Sequence, residues 1–237
     1  MRMDDTIKYK NNIIKYYDLY ETGYNIDKFI INKQLYTRPD HNFEFLLNLI
    51  KPNSVVYDIG AYIGTFSIPF ALEKMRVYTF EGFPDNFIRT KKNCLPYNNI
   101  NVHLVAVSNK NEVILTKFND CTAQIPVERE IKFVIFDEYL KENNIESPNL
   151  IKLDIEGMET LALFGMKNLI ENVRPIWQIG YHIGLDVKFD GYPGFVSVKE
   201  GGFDFNTFNK LGYKIYNEQH IEVDAFSTWG EYICVPE

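Results

Sequence analysis

The run Val55 to Gly64, Val-Val-Tyr-Asp-Ile-Gly-Ala-Tyr-Ile-Gly, constrains the fold more than any other stretch of this chain. β-branched residues lead into Asp58, and Gly60 and Gly64 then punctuate the approach to an apolar, helix-like stretch from Thr65 to Lys74. A strand that turns through glycine into a helix is the opening of a βαβ unit, whose ligands sit at the carboxyl end of the strand. The pattern predicts a cofactor loop.

The glycine spacing narrows the cofactor. In the dinucleotide fingerprint G-x-G-x-x-G the second glycine lets the backbone touch a pyrophosphate. Counted from Gly60, that position is Tyr62 and the third is Thr65, so a pyrophosphate would be crowded out. S-adenosylmethionine has no phosphate. It needs a tight turn for its methionine end, an acid near its ammonium and a second acid for its ribose, and Asp58 and Glu81 supply both. Glu81 ends the next apolar run, Arg76 to Phe80, about twenty residues on, where a ribose-binding carboxylate belongs. A glycine pair alone would suit a strand-to-helix turn in any α/β protein; the reading rests on the pair together with Glu81. The expected cofactor contacts are Asp58, Gly60, Ala61, Tyr62, Gly64, Thr65, Glu81, Gly82, Phe83, Ala106 and Val107.

From residue 54 onward strands and helices alternate. Strands are predicted at Ser54 to Asp58, Arg76 to Phe80, Val102 to Val107, Leu150 to Asp154 and Pro175 to Tyr181, with helices after the first, second and fourth. This is a doubly wound, mostly parallel sheet. Short β-like pieces at Val113 to Phe118 and Ile131 to Phe136 read as a hairpin or edge insertion. With 237 residues, 46% of them hydrophobic, the chain can bury one large core. The expected organisation is an N-terminal helical extension over residues 1–50 and one α/β domain over 51–237. Ile13, Ile14, Tyr17 and Tyr20 suggest a helix in the extension, and Phe43, Leu46, Leu47 and Ile50 a second one stopped by Pro52. The link between them holds Arg38 and His41, a helix cap or a part of the acceptor site.

A net charge of −7 argues against a nucleic-acid partner, which needs a basic surface. Cys94, Cys121 and Cys234 form no C-x-x-C pair, so neither a disulfide framework nor a zinc site is indicated. The polar start of the chain and the interrupted apolar runs predict no signal peptide and no membrane span, hence a cytoplasmic protein.

The second informative run is Leu150 to Glu159, an apolar strand that ends in Asp154, followed by Glu156 and Glu159 before the helix Thr160 to Ile170. An acid at a helix start is often only a cap, but three acids at one strand end exceed that need.

Val56 to Gly64, Tyr78 to Pro84 and Ile151 to Glu159 together resemble the FkbM-type methyltransferases, a branch of the class I S-adenosylmethionine-dependent fold. The resemblance covers about Phe43 to His182. It implies a seven-stranded sheet with a final antiparallel strand, and O-methylation of sugars or other small hydroxylated acceptors. Tyr213 to Tyr216 and Trp229 to Val235 could supply the last strands. Two positions depart from the family: Gly180 stands where an acid often precedes the histidine by two residues, and Tyr62 where Asn is common in the glycine turn.

His182, at the end of the fifth strand, is the expected base. An alcohol attacking a sulfonium methyl becomes more acidic as the bond forms, and an imidazole titrates in the range to take its proton. A histidine hydrogen-bonded beneath a loop is the plainer reading. Asp154 and Glu156 would orient the acceptor, or, with His182, hold a divalent ion. Tyr181 and Tyr192, the latter in a glycine-rich stretch to Gly202 that reads as a lid, offer aromatic faces to a sugar. Two other readings stay open: an NAD-dependent oxidoreductase on the same sheet, and a non-catalytic binding module with a methyltransferase fold.

Overall fold

The computed structural model describes residues 5–17, 30–31, 34–35, 43–118, 127–182, 206–226 and 230–237. In chain order the elements are β1 (Asp5–Tyr9), β2 (Asn12–Tyr16), β3 (Ile30–Ile31), β4 (Gln34–Leu35), α1 (Phe43–Leu49), β5 (Val55–Ile59), α2 (Ser67–Leu72), β6 (Arg76–Glu81), α3 (Pro84–Cys94), β7 (Ile100–Leu104) and β8 (Ala106–Ser108). There follow β9 (Glu112–Phe118), β10 (Val127–Ile135), α4 (Phe136–Glu142), β11 (Leu150–Leu153), α5 (Glu159–Phe164), β12 (Ile176–Tyr181), α6 (Asn206–Lys210), β13 (Tyr213–Tyr216), β14 (Glu222–Val223) and β15 (Gly230–Pro236).

The main sheet has the order β14-β13-β15-β12-β11-β5-β6-β7. Strands β12 through β7 run parallel, and β15 is antiparallel to both of its neighbours. Apart from the two-residue β14, this is the expected seven-stranded sheet with one reversed strand. Its central strands β5, β11 and β12 are buried almost throughout and read as nearly continuous apolar runs because both faces are covered. Val55, Tyr57 and Ile59 of β5 enter one core with Ile151, Leu153, Trp177 and Ile179; Val56 enters the other with Val77, Leu150, Ile68 and Phe70. That alternation, with its period of two, sets which side of the sheet each polar residue faces.

The predicted strand over Val102 to Val107 divides at Val105, whose N–H donates to Glu81 O at 2.9 Å. β7 stays in the main sheet, whereas β8 leaves it and joins the β9–β10 hairpin in a three-stranded sheet, β8-β10-β9.

The helical expectation for the extension is corrected over residues 5–16. β1 and β2 form an antiparallel hairpin, with Tyr9 opposite Asn12 and Lys10 in the left-handed region (φ 51°) at the turn. Ile14 and Tyr16 are buried while Ile13 and Lys15 are exposed, so the apolar period is two and not 3.6. The hairpin's Tyr9, Ile14 and Tyr16 share one cluster with Phe43 and Leu46 of α1, Phe66 and Phe70. The second expected helix is present as α1. Among the described residues no helix is long and apolar enough to cross a membrane.

Candidate active site

Gly60 follows β5, Glu81 ends β6, Asp154 follows β11 and His182 follows β12, and these strands are neighbours in the order β12-β11-β5-β6. The connections run outward from β5 in both directions. The carboxyl ends therefore meet at a topological switch point, where open α/β sheets bind ligands.

On the β5–β6 side, Gly60 and Gly64 adopt φ of +80° and +87°. Gly60 is required by packing before any ligand is considered, since a Cβ there would lie 1.9 Å from Asp154 O. Tyr62 also has positive φ, 56°. Asn tolerates that region better than a bulky ring, which accounts physically for the Asn common at this place in the family pattern. Glu81 lies buried beneath the turn: its Oε2 accepts the N–H of Tyr62 at 2.8 Å and its Oε1 that of Phe83 at 2.9 Å. Burial pushes its carboxyl up to about 7, against the downward pull of those N–H groups and Lys152. Each oxygen retains acceptor capacity, so the group could receive a ribose diol. Gly82 packs on Ala106, where a Cβ would come within 2.8 Å of Ala106 Cβ. Ala106 is half-buried beside Phe83, Thr65 is half-buried, and Val107 is buried in the core.

Asp58 faces the α2 side of the sheet and is fully buried. Ser67 donates to its Oδ2 at 2.6 Å, and the Lys152 ammonium lies 3.4 Å from its Oδ1. Thr79, Asp58, Lys152 and Gln178 are lateral register partners, a buried polar row across four strands of an otherwise apolar sheet. Lys152 Nζ also donates to Gly60 O at 2.9 Å and approaches Asp154 Oδ2 at 3.6 Å. Burial alone would lower its pKa, but Asp58, Asp154 and Glu231 outweigh burial and raise it. The ammonium thus stays charged and ties the glycine turn to the β11 end.

On the β11–β12 side, His182 Nδ1 is 3.0 Å from Glu159 Oε1, while Nε2 lies 3.7 Å from Asp154 Oδ1 and 3.9 Å from Glu156 Oε2. Burial would lower the imidazole's pKa; the Glu159 hydrogen bond and the charges of Glu159, Asp154 and Glu156 more than reverse that and raise it to about 9. Glu231 of β15 accepts from Gln178 Nε2 at 3.0 Å, and burial and Asp154 push it up to about 8. Asp154, Glu156 and His182 each offer a ligand-type atom, all within 4.8 Å of one another.

The pattern of the methyltransferase FkbM domain matches residues 58–215. The chain belongs to the FkbM methyltransferase family. Hexuronic acid methyltransferase AglP of Haloferax volcanii is 28% identical over 150 residues, covering 60% of this chain and 62% of AglP. The crystal structure of methyltransferase FkbM from Methylobacillus flagellatus superimposes with a TM-score of 0.53 at 20% identity, over 83% of this chain and 48% of that one. That likeness shows the class I methyltransferase fold. In both cases the match spans less than two thirds of the relative's own length.

Against the FkbM pattern, the glycine at 180 has a steric reason: a Cβ there would lie 3.0 Å from Asp154 Oδ1 and 3.2 Å from His182 Cε1. Tyr181, expected at the acceptor, is placed in the core instead, packed edge-on against Phe226 and Tyr232. Its position on β12 turns it to the face opposite Gly180, so strand alternation governs its direction. Arg38, His41 and Tyr192, and the lid expected up to Gly202, lie outside the described residues. Lys152, Glu231 and Gln178 were not anticipated. Lys152 had a readable signal, a lone charge inside the apolar run Leu150, Ile151, Leu153; Glu231 is distant in sequence and had none.

Proposed function

We propose that this FkbM-family protein is an S-adenosylmethionine-dependent O-methyltransferase that methylates a hydroxyl of a sugar or glycan. The observation that carries the reading is the placement of the Glu81–Tyr62 cradle and the His182–Asp154–Glu156 group at adjoining strand ends. Gly60, Tyr62, Glu81 and Phe83 would hold the cofactor, Glu81 through the ribose hydroxyls. Asp58, expected at the ammonium, is already paired with Lys152 and Ser67, so its influence there would pass through the turn. Bound there, S-adenosylmethionine would supply a sulfonium methyl, an electrophile that needs no covalent enzyme intermediate.

The chain's own residues then align the acceptor and move a proton. Nε2 of neutral His182 takes the hydroxyl proton, as general base. Asp154 and Glu156 accept hydrogen bonds from neighbouring hydroxyls and fix which oxygen is presented. The sugar class is supported by the similarity to AglP, whose name specifies a hexuronic acid. A divalent ion on Asp154, Glu156 and His182 would compete for the atoms assigned here to the acceptor. The residues 51–237 would form the methyltransferase domain, with residues 1–50 as an extension whose Tyr9, Ile14, Tyr16, Phe43 and Leu46 pack into the same cluster as Phe66 and Phe70. The acidic charge and the buried thiols of Cys94 and Cys234 support a cytoplasmic protein with no nucleic-acid partner.

The test is incubation with S-adenosylmethionine and a panel of neutral and acidic sugars and glycans. A methyl mass increment on a sugar is expected. Cofactor binding by calorimetry without any increment would favour a binding module, and a nicotinamide fluorescence shift on titration with NAD would favour the oxidoreductase.

A further inference from the structure

Glu159 is the first residue of α5, only 2% exposed, and its carboxylate collects contacts from two places. From its own loop it accepts the N–H of Ile155 at 3.0 Å and of Gly157 at 3.2 Å on Oε1 and 3.1 Å on Oε2. From β12 it meets His182 Nδ1 at 3.0 Å. The loop contacts are what a capping acid makes. The imidazole contact is not needed for capping, and it has a chemical consequence. A ring whose Nδ1–H faces a carboxylate has, when neutral, its lone pair on Nε2.

The backbone explains why this residue is used. Glu156 and Gly157 both have positive φ, 54° and 100°, which folds the loop so that its N–H groups and the α5 start converge on one carboxylate. The alternative position for an orienting acid, two residues before the histidine, holds Gly180, where a Cβ would press on Asp154 Oδ1 at 3.0 Å. We propose that Glu159 is the positioning residue of this site: it fixes the tautomer of His182 and turns Nε2 toward Asp154 and Glu156, where the acceptor hydroxyl would lie. The acceptor's place rests on the function proposed above; the fixing of the ring does not. The charged groups facing the imidazole are Glu159 from α5, Asp154 and Glu156 from the loop after β11, and Glu231 from β15, with Lys152 of β11 beside Asp154.

The test combines kinetics with imidazole NMR on the full chain. Glu159→Gln is expected to lower kcat about tenfold to a hundredfold, below the loss of the base itself, with little change in the KM for S-adenosylmethionine. In a His182→Ala background the same substitution should cost almost nothing further, because the two act as a unit. An equal loss in that background, with a lower Tm, would make Glu159 a cap only and overturn the proposal. The nitrogen resonances of the wild-type imidazole give a reading that requires neither acceptor nor variant. In alkaline solution they should report a proton on Nδ1, even if no sugar is methylated; a proton on Nε2 would refute the assignment.

Discussion

Glu81 is held by backbone N–H groups in a pocket that penalises its charge, so any ligand it accepts would be coupled to its ionisation. Glu81→Ala should weaken binding of S-adenosylmethionine by roughly 1.5 to 3 kcal/mol per lost charge-assisted hydrogen bond; calorimetry showing unchanged affinity would remove Glu81 from the cofactor site. Because the carboxylate is the better acceptor and its pKa is raised to about 7, affinity should fall as the pH drops through that value. His182 has the same sense in catalysis, at a higher pH. Its raised pKa of about 9 leaves the imidazole protonated at neutral pH, so the rate should climb toward pH 9 as the base form appears. His182→Ala should lower turnover by about a hundredfold to ten-thousandfold and abolish that climb, while cofactor affinity stays nearly unchanged. A flat profile in the wild type would place the base elsewhere. The strand-end positions of Glu81 and His182 were legible in the sequence because each ends an apolar strand run. The direction of Tyr181 was not, since a residue one step along a strand faces the other side.

Among the elements, β5 and β11 are joined at their ends by a backbone contact and across their width by an ion pair. Gly60→Ala should prevent normal folding or lower Tm strongly, since the new Cβ meets Asp154 O at 1.9 Å and φ is +80°. Lys152→Met should destabilise the protein by about 3 to 5 kcal/mol by leaving Asp58 without its cation in the core. Adding Asp58→Asn should recover part of that loss in chemical denaturation; no recovery would mean that the ion pair is not what Lys152 supplies. The central strands were readable because both faces are buried and the runs are almost wholly apolar. The β1–β2 hairpin is not legible in the sequence because Ile13, Ile14 and Tyr17 are compatible with helical spacing over so short a window, and only burial of Ile14 and Tyr16 decides the period. Helix α4 follows directly on the β-like piece that ends at Phe136, and its sequence signal is only the i, i+4 apolar pair Phe136 and Leu140 with Asp137 and Glu138 in the first turn.

At the scale of the whole molecule, the sheet order brings four strand ends together from residues more than a hundred positions apart, and the polar row Thr79, Asp58, Lys152, Gln178 depends on register that no single run contains. The β5–β6 side was legible because Gly60 and Glu81 lie in one βαβ unit. The β11–β12 side was only partly so, because Glu231 reaches it from the final reversed strand. If Asp154, Glu156 and His182 serve the acceptor, activity should survive exhaustive chelation; loss reversed by magnesium or manganese would assign those atoms to an ion instead. Methyl transfer to a hydroxyl is tested most directly by a single turnover with methyl-labelled S-adenosylmethionine and the best sugar of the panel. The predicted result is one labelled methyl on the sugar for each S-adenosylhomocysteine formed, in a linkage that survives mild alkali as an ether does. Label released by alkali would reveal a carboxyl ester, and S-adenosylhomocysteine without labelled sugar would contradict methyl transfer to this acceptor altogether.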